Sequence, residues 1–110
     1  MDLNAAADSL AALGHDTRLA IYRLLVQAGS KGLNAGVIST QLELAPATLS
    51  FHLAHLTRTR LVANRPDGRF IYYSADYARM NELLGFLTAN CCEGQPCATT
   101  ETCCSQGEPT

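Results

Sequence analysis

A chain of 110 residues fits one domain and leaves no room beside it for a catalytic domain of ordinary size. It contains no run of 18 apolar residues, which excludes a membrane-spanning helix, and Met1-Asp2-Leu3-Asn4 lacks the basic start of a signal peptide, so a cytoplasmic protein is expected. The formal charge of −2 argues against a nucleic-acid binder only as a sum: residues 45–75 carry Arg58, Arg60, Arg65 and Arg69 against Asp67, a local +3, leaving −5 for the rest. Charge alone leaves a solvated surface cluster equally open.

In chain order, Asn4 to Leu13 is an alanine-rich helical segment that Gly14 stops in the C′ position. Asp16 is placed to cap a second helix, about Thr17 to Ala28, ended by Gly29. Leu19, Ile21, Tyr22, Leu24 and Leu25 make that helix apolar all round, as expected of a central helix. After the loop Ser30-Lys31-Gly32, Asn34 can cap a short helix through Leu42 with Val37, Ile38 and Leu42 buried. Pro46 sits where a helix tolerates proline, in its first turn, and the helical pattern continues to about Thr59. Two short helices joined by Glu43-Leu44-Ala45 make a helix-turn-helix arrangement.

The period then changes from helical to alternating. Leu61-Val62-Ala63-Asn64 and Phe70-Ile71-Tyr72-Tyr73-Ser74 read as strands, and Asp67-Gly68 between them is a hairpin signal. Tyr77 to about Asn90 is helical again, with Tyr77, Met80, Leu83, Leu84 and Leu87 in an apolar stripe. The fold class is therefore mainly α with a small β-hairpin, in the order α-α-α-α-β-β-α of a winged helix-turn-helix. Residues 1–90 read as the winged helix-turn-helix domain, and residues 91–110 as a cysteine-rich tail without periodicity.

In the helix after Pro46, Leu49, Leu53 and Leu56 recur at four and three residues and define one buried stripe. Ala47, Thr48, Ser50 and Phe51 project away from it or on its flanks, near the helix start. Hydroxyls there suit base edges or phosphates, and apolar groups a thymine methyl. His52 and His55 can donate to phosphate or bases, Arg58 suits backbone contact near the helix end, and Arg65 and Arg69 flank a turn that can reach the minor groove. An ordinary amphipathic helix explains the helix alone; it accounts poorly for the capped helix before it and the Arg-Pro-Asp-Gly-Arg hairpin after it.

Leu13-Gly14-His15-Asp16-Thr17-Arg18-Leu19-Ala20-Ile21-Tyr22-Arg23-Leu24-Leu25 resembles the first core helix of the ArsR/SmtB family of metal-responsive repressors. Ala47-Thr48-Leu49-Ser50-Phe51-His52-Leu53-Ala54-His55-Leu56 resembles that family's recognition helix, and Leu61-Val62 through Gly68-Arg69 to Tyr72-Tyr73 its wing. The resemblance covers about residues 5–90. It implies a homodimer paired through the first and last helices, each protomer reading half of an inverted repeat in double-stranded DNA. It also implies repression that a bound ligand relieves.

All five cysteines, Cys91, Cys92, Cys97, Cys103 and Cys104, lie in the last 20 residues, so the core has none to staple. The family's Cys-x-Cys arsenic site before the recognition helix is absent from Ala35 to Leu42. Its His/carboxylate zinc site on the last helix would find only Glu82 there. Cys91, Cys92 and Cys97 can instead offer three thiolates to trivalent arsenic or antimony, soft centres that favour sulfur. Cys103 or Cys104 can replace the third ligand or complete a four-sulfur zinc or cadmium site, two thiols suffice for a methylated arsenical, and a disulfide switch needs no metal. Incidental cysteines in an unstructured tail remain open. A small thiol enzyme is disfavoured because residues 91–110 contain no His, Lys or Arg to activate a thiol, and a winged-helix adaptor without a DNA role is a third class.

Overall fold

The structure, a computed structural model, describes residues 1–89. Helix α1 (Leu3–Leu13) starts where the Asp2 carboxylate accepts from the Ala5 N–H at 2.7 Å, the usual role of an acidic N-cap. It ends at Gly14 with an ordinary φ of −80°, so this glycine does not supply the left-handed cap expected of it. Helix α2 (Asp16–Ala28) is capped by His15 rather than Asp16: Nδ1 of His15 accepts from the Thr17 N–H at 3.1 Å, and the Asp16 carboxylate supplements it at 2.8 Å.

α2 crosses the middle of the domain with Ile21, Tyr22 and Leu25 buried, as its composition predicts, but Leu19 and Val26 remain exposed along one flank. A two-residue strand β1 (Leu33–Asn34) precedes α3 (Ala35–Leu42), which Asn34 caps through the Val37 N–H at 2.9 Å. Ile38 is the buried residue of α3; Val37, expected inside, is partly exposed. Helix α4 (Pro46–Arg58) follows, then the antiparallel strands β2 (Val62–Asp67) and β3 (Phe70–Ala75), and α5 (Tyr77–Leu87). β1 adds to the expected hairpin, giving a three-stranded sheet in the order β1-β3-β2. α5 ends three residues before the expected Asn90, at Leu87 with Thr88 as cap.

Ile21, Leu25, Ile38, Leu49, Leu56 and Leu61 fill the core, drawn from α2, α3, α4 and the link to β2. Burying each such side chain contributes about 1.5–3 kcal/mol, so this cluster holds the two halves of the helix-turn-helix against α2. The wing turns tightly: Asp67 pairs with Phe70, leaving Gly68-Arg69 as a two-residue loop. Gly68 has φ +64° while Arg69 stays outside the left-handed region, the backbone of a type II′ hairpin that matches strand twist.

Candidate nucleic-acid interface

The turn between α3 and α4 is held by a six-residue closure. Leu44 N–H donates to Ser39 O at 3.0 Å, Glu43 N–H donates to Thr40 O at 3.4 Å, and the Ser39 hydroxyl donates to Leu44 O. This is the Schellman pattern, and it puts Glu43 in the left-handed region at φ +56°. α4 ends in the same way, with Leu61 N–H donating to Leu56 O, Arg60 N–H to Thr57 O, and Arg60 at φ +70°. Both helices of the motif thus end on a strained non-glycine residue, which no Gly in the sequence announces.

α4 starts differently. Ala45 occupies its N-cap position and offers no side-chain acceptor, and Pro46 follows at the first helical turn. The backbone N–H groups at this end therefore lack a side-chain partner and carry the positive end of the helix dipole. Around them Ala47, Thr48, Ser50 and Phe51 are exposed, Phe51 at 66%. An exposed phenylalanine beside two hydroxyls and a bare helix start suits a phosphate and a base edge together.

The opposite wall of this surface is the wing. A groove of about 460 Å3 runs between them, with Ser50, Ala54 and Arg58 on the helix side and Asn64 and Tyr73 on the strand side. Arg69 is exposed at the tip beside Phe70 and Ile71, two exposed apolar side chains of the kind that wedge between bases. Arg65 points elsewhere than expected. Its guanidinium lies over the Tyr72 ring, 5.2 Å from the centroid, and donates to Lys31 O at 3.0 Å, tying the wing to the loop before β1. Replacing Arg69 by Gln should reduce the salt slope of DNA binding, measured as log affinity against log salt, by about 0.9 for each phosphate the side chain neutralises. Arg65→Gln should instead loosen the wing, lowering affinity with a smaller change in slope.

His52 corrects the sequence expectation. It is 7% exposed and faces α2, where its Nδ1 lies 3.3 Å from Nη1 of Arg18 and its ring packs 4.8 Å from that of His15. Arg18 also donates through Nε to Ala12 O at 2.7 Å, so one guanidinium fastens the reading helix to the end of α1. Burial, then the nearby His15 and Arg18, pushes the His52 imidazole below its ordinary value. His55, half-buried, is pushed down by burial and then by Arg18 and Arg58. Both rings are thus mainly neutral at pH 7 and bring little positive charge to DNA. Because the folded imidazoles resist protonation and the unfolded ones do not, their contribution to stability is complete above about pH 6.5 and is lost as pH falls below it. His52→Gln should flatten the fall of the unfolding midpoint between pH 7 and pH 5; an unaltered profile would locate the titration elsewhere.

The apolar stripe of α5 divides. Leu83 is 2% exposed and already packed within its own protomer, and Met80 lies against the core, so neither is free for a partner as expected. Tyr77, Leu84 and Leu87 are exposed, and α1 presents Leu3 and Leu10 in the same state. Tyr77 donates its hydroxyl to Val26 O at 3.0 Å. The engagement of Arg18 by His52 and the Ala12 carbonyl has no local signal in the sequence, whereas the missing cap before Pro46 is a legible sign of the bare helix start. Cys91, Cys92, Cys97, Cys103 and Cys104 lie outside the described residues. Among the described residues no three His, Cys, Asp or Glu side chains gather as a metal site would require.

A helix-turn-helix domain model matches residues 13–65. The chain is 32% identical over 87 residues to the nodulation protein NolR of Rhizobium meliloti, covering 79% of this chain and 69% of that protein. Among solved structures, an ArsR-like transcriptional regulator from Rhodococcus sp. RHA1 superposes with a TM-score of 0.72 at 27% identity, over 83% of each chain. The chain belongs to the ArsR/SmtB family. The homodimeric winged helix-turn-helix DNA-binding domain of a possible ArsR-family regulator from Mycobacterium bovis follows with a TM-score of 0.64 at 28% identity, over 86% of this chain and 88% of that one. This ArsR/SmtB member is accordingly a DNA-binding transcriptional regulator and not an enzyme. No helix among its described residues is long and apolar enough to cross a membrane.

Proposed function

We propose that the chain acts as a homodimeric repressor that reads an inverted repeat and leaves it when trivalent arsenic or antimony binds Cys91, Cys92 and Cys97. The uncapped, exposed start of α4, with Ala47, Thr48, Ser50 and Phe51 around it, carries the DNA half of this proposal. Each protomer places that turn in a major groove and lays Arg69 and Phe70 along the neighbouring backbone or minor groove. Arg18 and His52 position α4 from behind without touching DNA. Pairing through Leu3, Leu10, Leu84 and Leu87 would remove four exposed leucines from water, and the homodimeric mycobacterial neighbour supports that assembly.

The thiol half rests on chemistry. Three thiolates around a soft trivalent centre leave no role for the histidines, and the described residues offer no rival ligand cluster. Cys91 follows the end of α5 by four residues, so capture there acts on the helix that carries Leu84 and Leu87. Glu93, Glu101 and Glu108 add negative charge to the same segment.

Electrophoretic mobility shift with and without arsenite tests both halves at once. A shifted operator complex that arsenite dissolves is the expected result. A complex that withstands arsenite but yields to a thiol oxidant would replace the metalloid by a disulfide switch. No complex on any genomic operator would remove the DNA function.

A further inference from the structure

The outer end of the wing stands clear of the helices. Val62 and Ala75 are buried at its root, and β1 pairs with β3 only at Tyr73 and Tyr72. Beyond that point β2 and β3 continue as a two-stranded ribbon whose last two cross-strand pairs are Pro66–Ile71 and Asp67–Phe70. Pro66, Phe70 (55%) and Ile71 (45%) are all exposed there, and neither Phe70 nor Ile71 packs against the core cluster. Successive strand residues point to opposite faces, so Phe70 stands on one side of the ribbon and Ile71 with Pro66 on the other. Single exposed apolar residues are ordinary, but three gathered on the last two pairs of a hairpin make a patch that nothing among the described residues covers. The ribbon is braced just below them, where the Arg65 guanidinium lies over the Tyr72 ring and donates to Lys31 O at 3.0 Å.

We propose that the wing tip is a wedge: it enters a minor groove, unstacks one base step with Phe70 while Ile71 and Pro66 brace the opposite wall, and kinks the DNA there. Charge selects the occupant. Residues 45–75 carry Arg58, Arg60, Arg65 and Arg69 against Asp67 in a chain whose sum is −2, so an anionic partner fits this end of the molecule. The patch is also continuous with the reading surface. Asn64 and Tyr73, the next pair inward on the face of Pro66 and Ile71, line the groove shared with Ser50 and Arg58 of α4. A minor groove is about 6 Å wide, whereas neighbouring strands stand about 4.8 Å apart before their side chains are counted. A ribbon with Phe70 and Ile71 on its two faces therefore enters only if the groove opens, and an inserted apolar side chain opens it by bending the duplex toward the major groove. Pyrimidine–purine steps unstack most easily, so the wedge makes the protein sensitive to sequence at a step where it needs no hydrogen bond to a base. The inference rests on the DNA reading proposed above and adds a bend to it.

The test uses the full chain and the shortest genomic fragment retained in the mobility shift. The fragment is labelled at both ends for energy transfer and carries 2-aminopurine in turn at each step flanking the half-sites. Wild-type protein should shorten the end-to-end distance and brighten 2-aminopurine about threefold or more at one step of each half-site. Phe70→Thr/Ile71→Thr keeps strand-forming residues at exposed positions, so its circular dichroism and dimer mass should match wild type. Both DNA signals should disappear in that variant, and its affinity should drop about tenfold. Replacing the brightened step by a stiff A-tract should weaken wild-type binding and leave the variant unaltered. If wild type and variant bend the fragment alike, or 2-aminopurine stays quenched at every step, the wedge is refuted and the DNA function stands. A variant that loses dimer mass would instead assign the tip to a second protomer. Failure of the mobility shift itself removes the DNA reading and the wedge with it.

Discussion

Cys91→Ser/Cys92→Ser protein is expected to bind operator DNA as tightly as the unaltered chain and to be no longer released by arsenite. The substitution replaces no residue of the α4 and wing surface, so DNA affinity and its salt dependence should stay unchanged, while the proposed three-thiolate set would fall to a single sulfur. If arsenite weakens wild-type binding a hundredfold, the coupling removed is about 2.7 kcal/mol. That much must come from metalloid binding better to the non-DNA-binding arrangement of the dimer, and α5 is the element through which it would act, since its buried Leu83 ties it to its own protomer and Leu84 and Leu87 face outward. Competition binding with and without arsenite measures the ratio directly. Normal release of the double variant would place the sensing site elsewhere. Cys97→Ser adds resolution: loss of the arsenite response with a retained methylarsenite response indicates that the third thiol completes the inorganic site, because one arsenic valence is already taken by carbon in the methylated form.

Gly32→Ala is expected to lower the unfolding midpoint by more than about 10 °C, the largest effect expected of a Gly→Ala change among the described glycines. Gly32 sits at φ +73°, where an L side chain is strained by about 1–2 kcal/mol. A Cβ there would also stand 2.9 Å from the carbonyl carbon of Tyr73, and closer still to its oxygen. That carbonyl belongs to β3 at its pairing with Leu33, so it cannot retreat without opening the β1–β3 pairing. Overpacking against backbone adds about 1–3 kcal/mol to the strain. Gly68→Ala separates the two effects, since Gly68 has φ +64° but nothing within 4 Å of an added Cβ. Thermal unfolding of both variants should show the Gly32 change costing at least twice the other; equal losses would mean that the conformational strain alone matters.

Much of this molecule is legible from local pattern. The leucines at 49, 53 and 56 face the core as their spacing requires, Asn34 caps α3, and proline at position 46 opens α4. The hairpin lies where Asp-Gly announces a turn, although the register shifts the two-residue loop to Gly68-Arg69. Helix ends are harder to read, because Glu43 and Arg60 adopt left-handed backbone that a sequence normally signals by glycine. The closure bonds around them supply what the missing glycine would have eased.

The winged helix-turn-helix itself was determined by the sequence alone, because helical and strand periodicity, proline placement and turn chemistry act over a few residues. The same holds for the exposed turn from Ala47 to Phe51. Only the tertiary structure decided which side chains were free to work there. His52 and Arg65 are each engaged by a partner 34 residues away, one by Arg18 and the other by the Lys31 carbonyl. Leu83 was absorbed by its own protomer, and Arg79 was brought beside Asp8 and Arg58 in a shared cleft. Such contacts join segments whose spacing in the chain bears no relation to any period, and they exist only once the helices have packed.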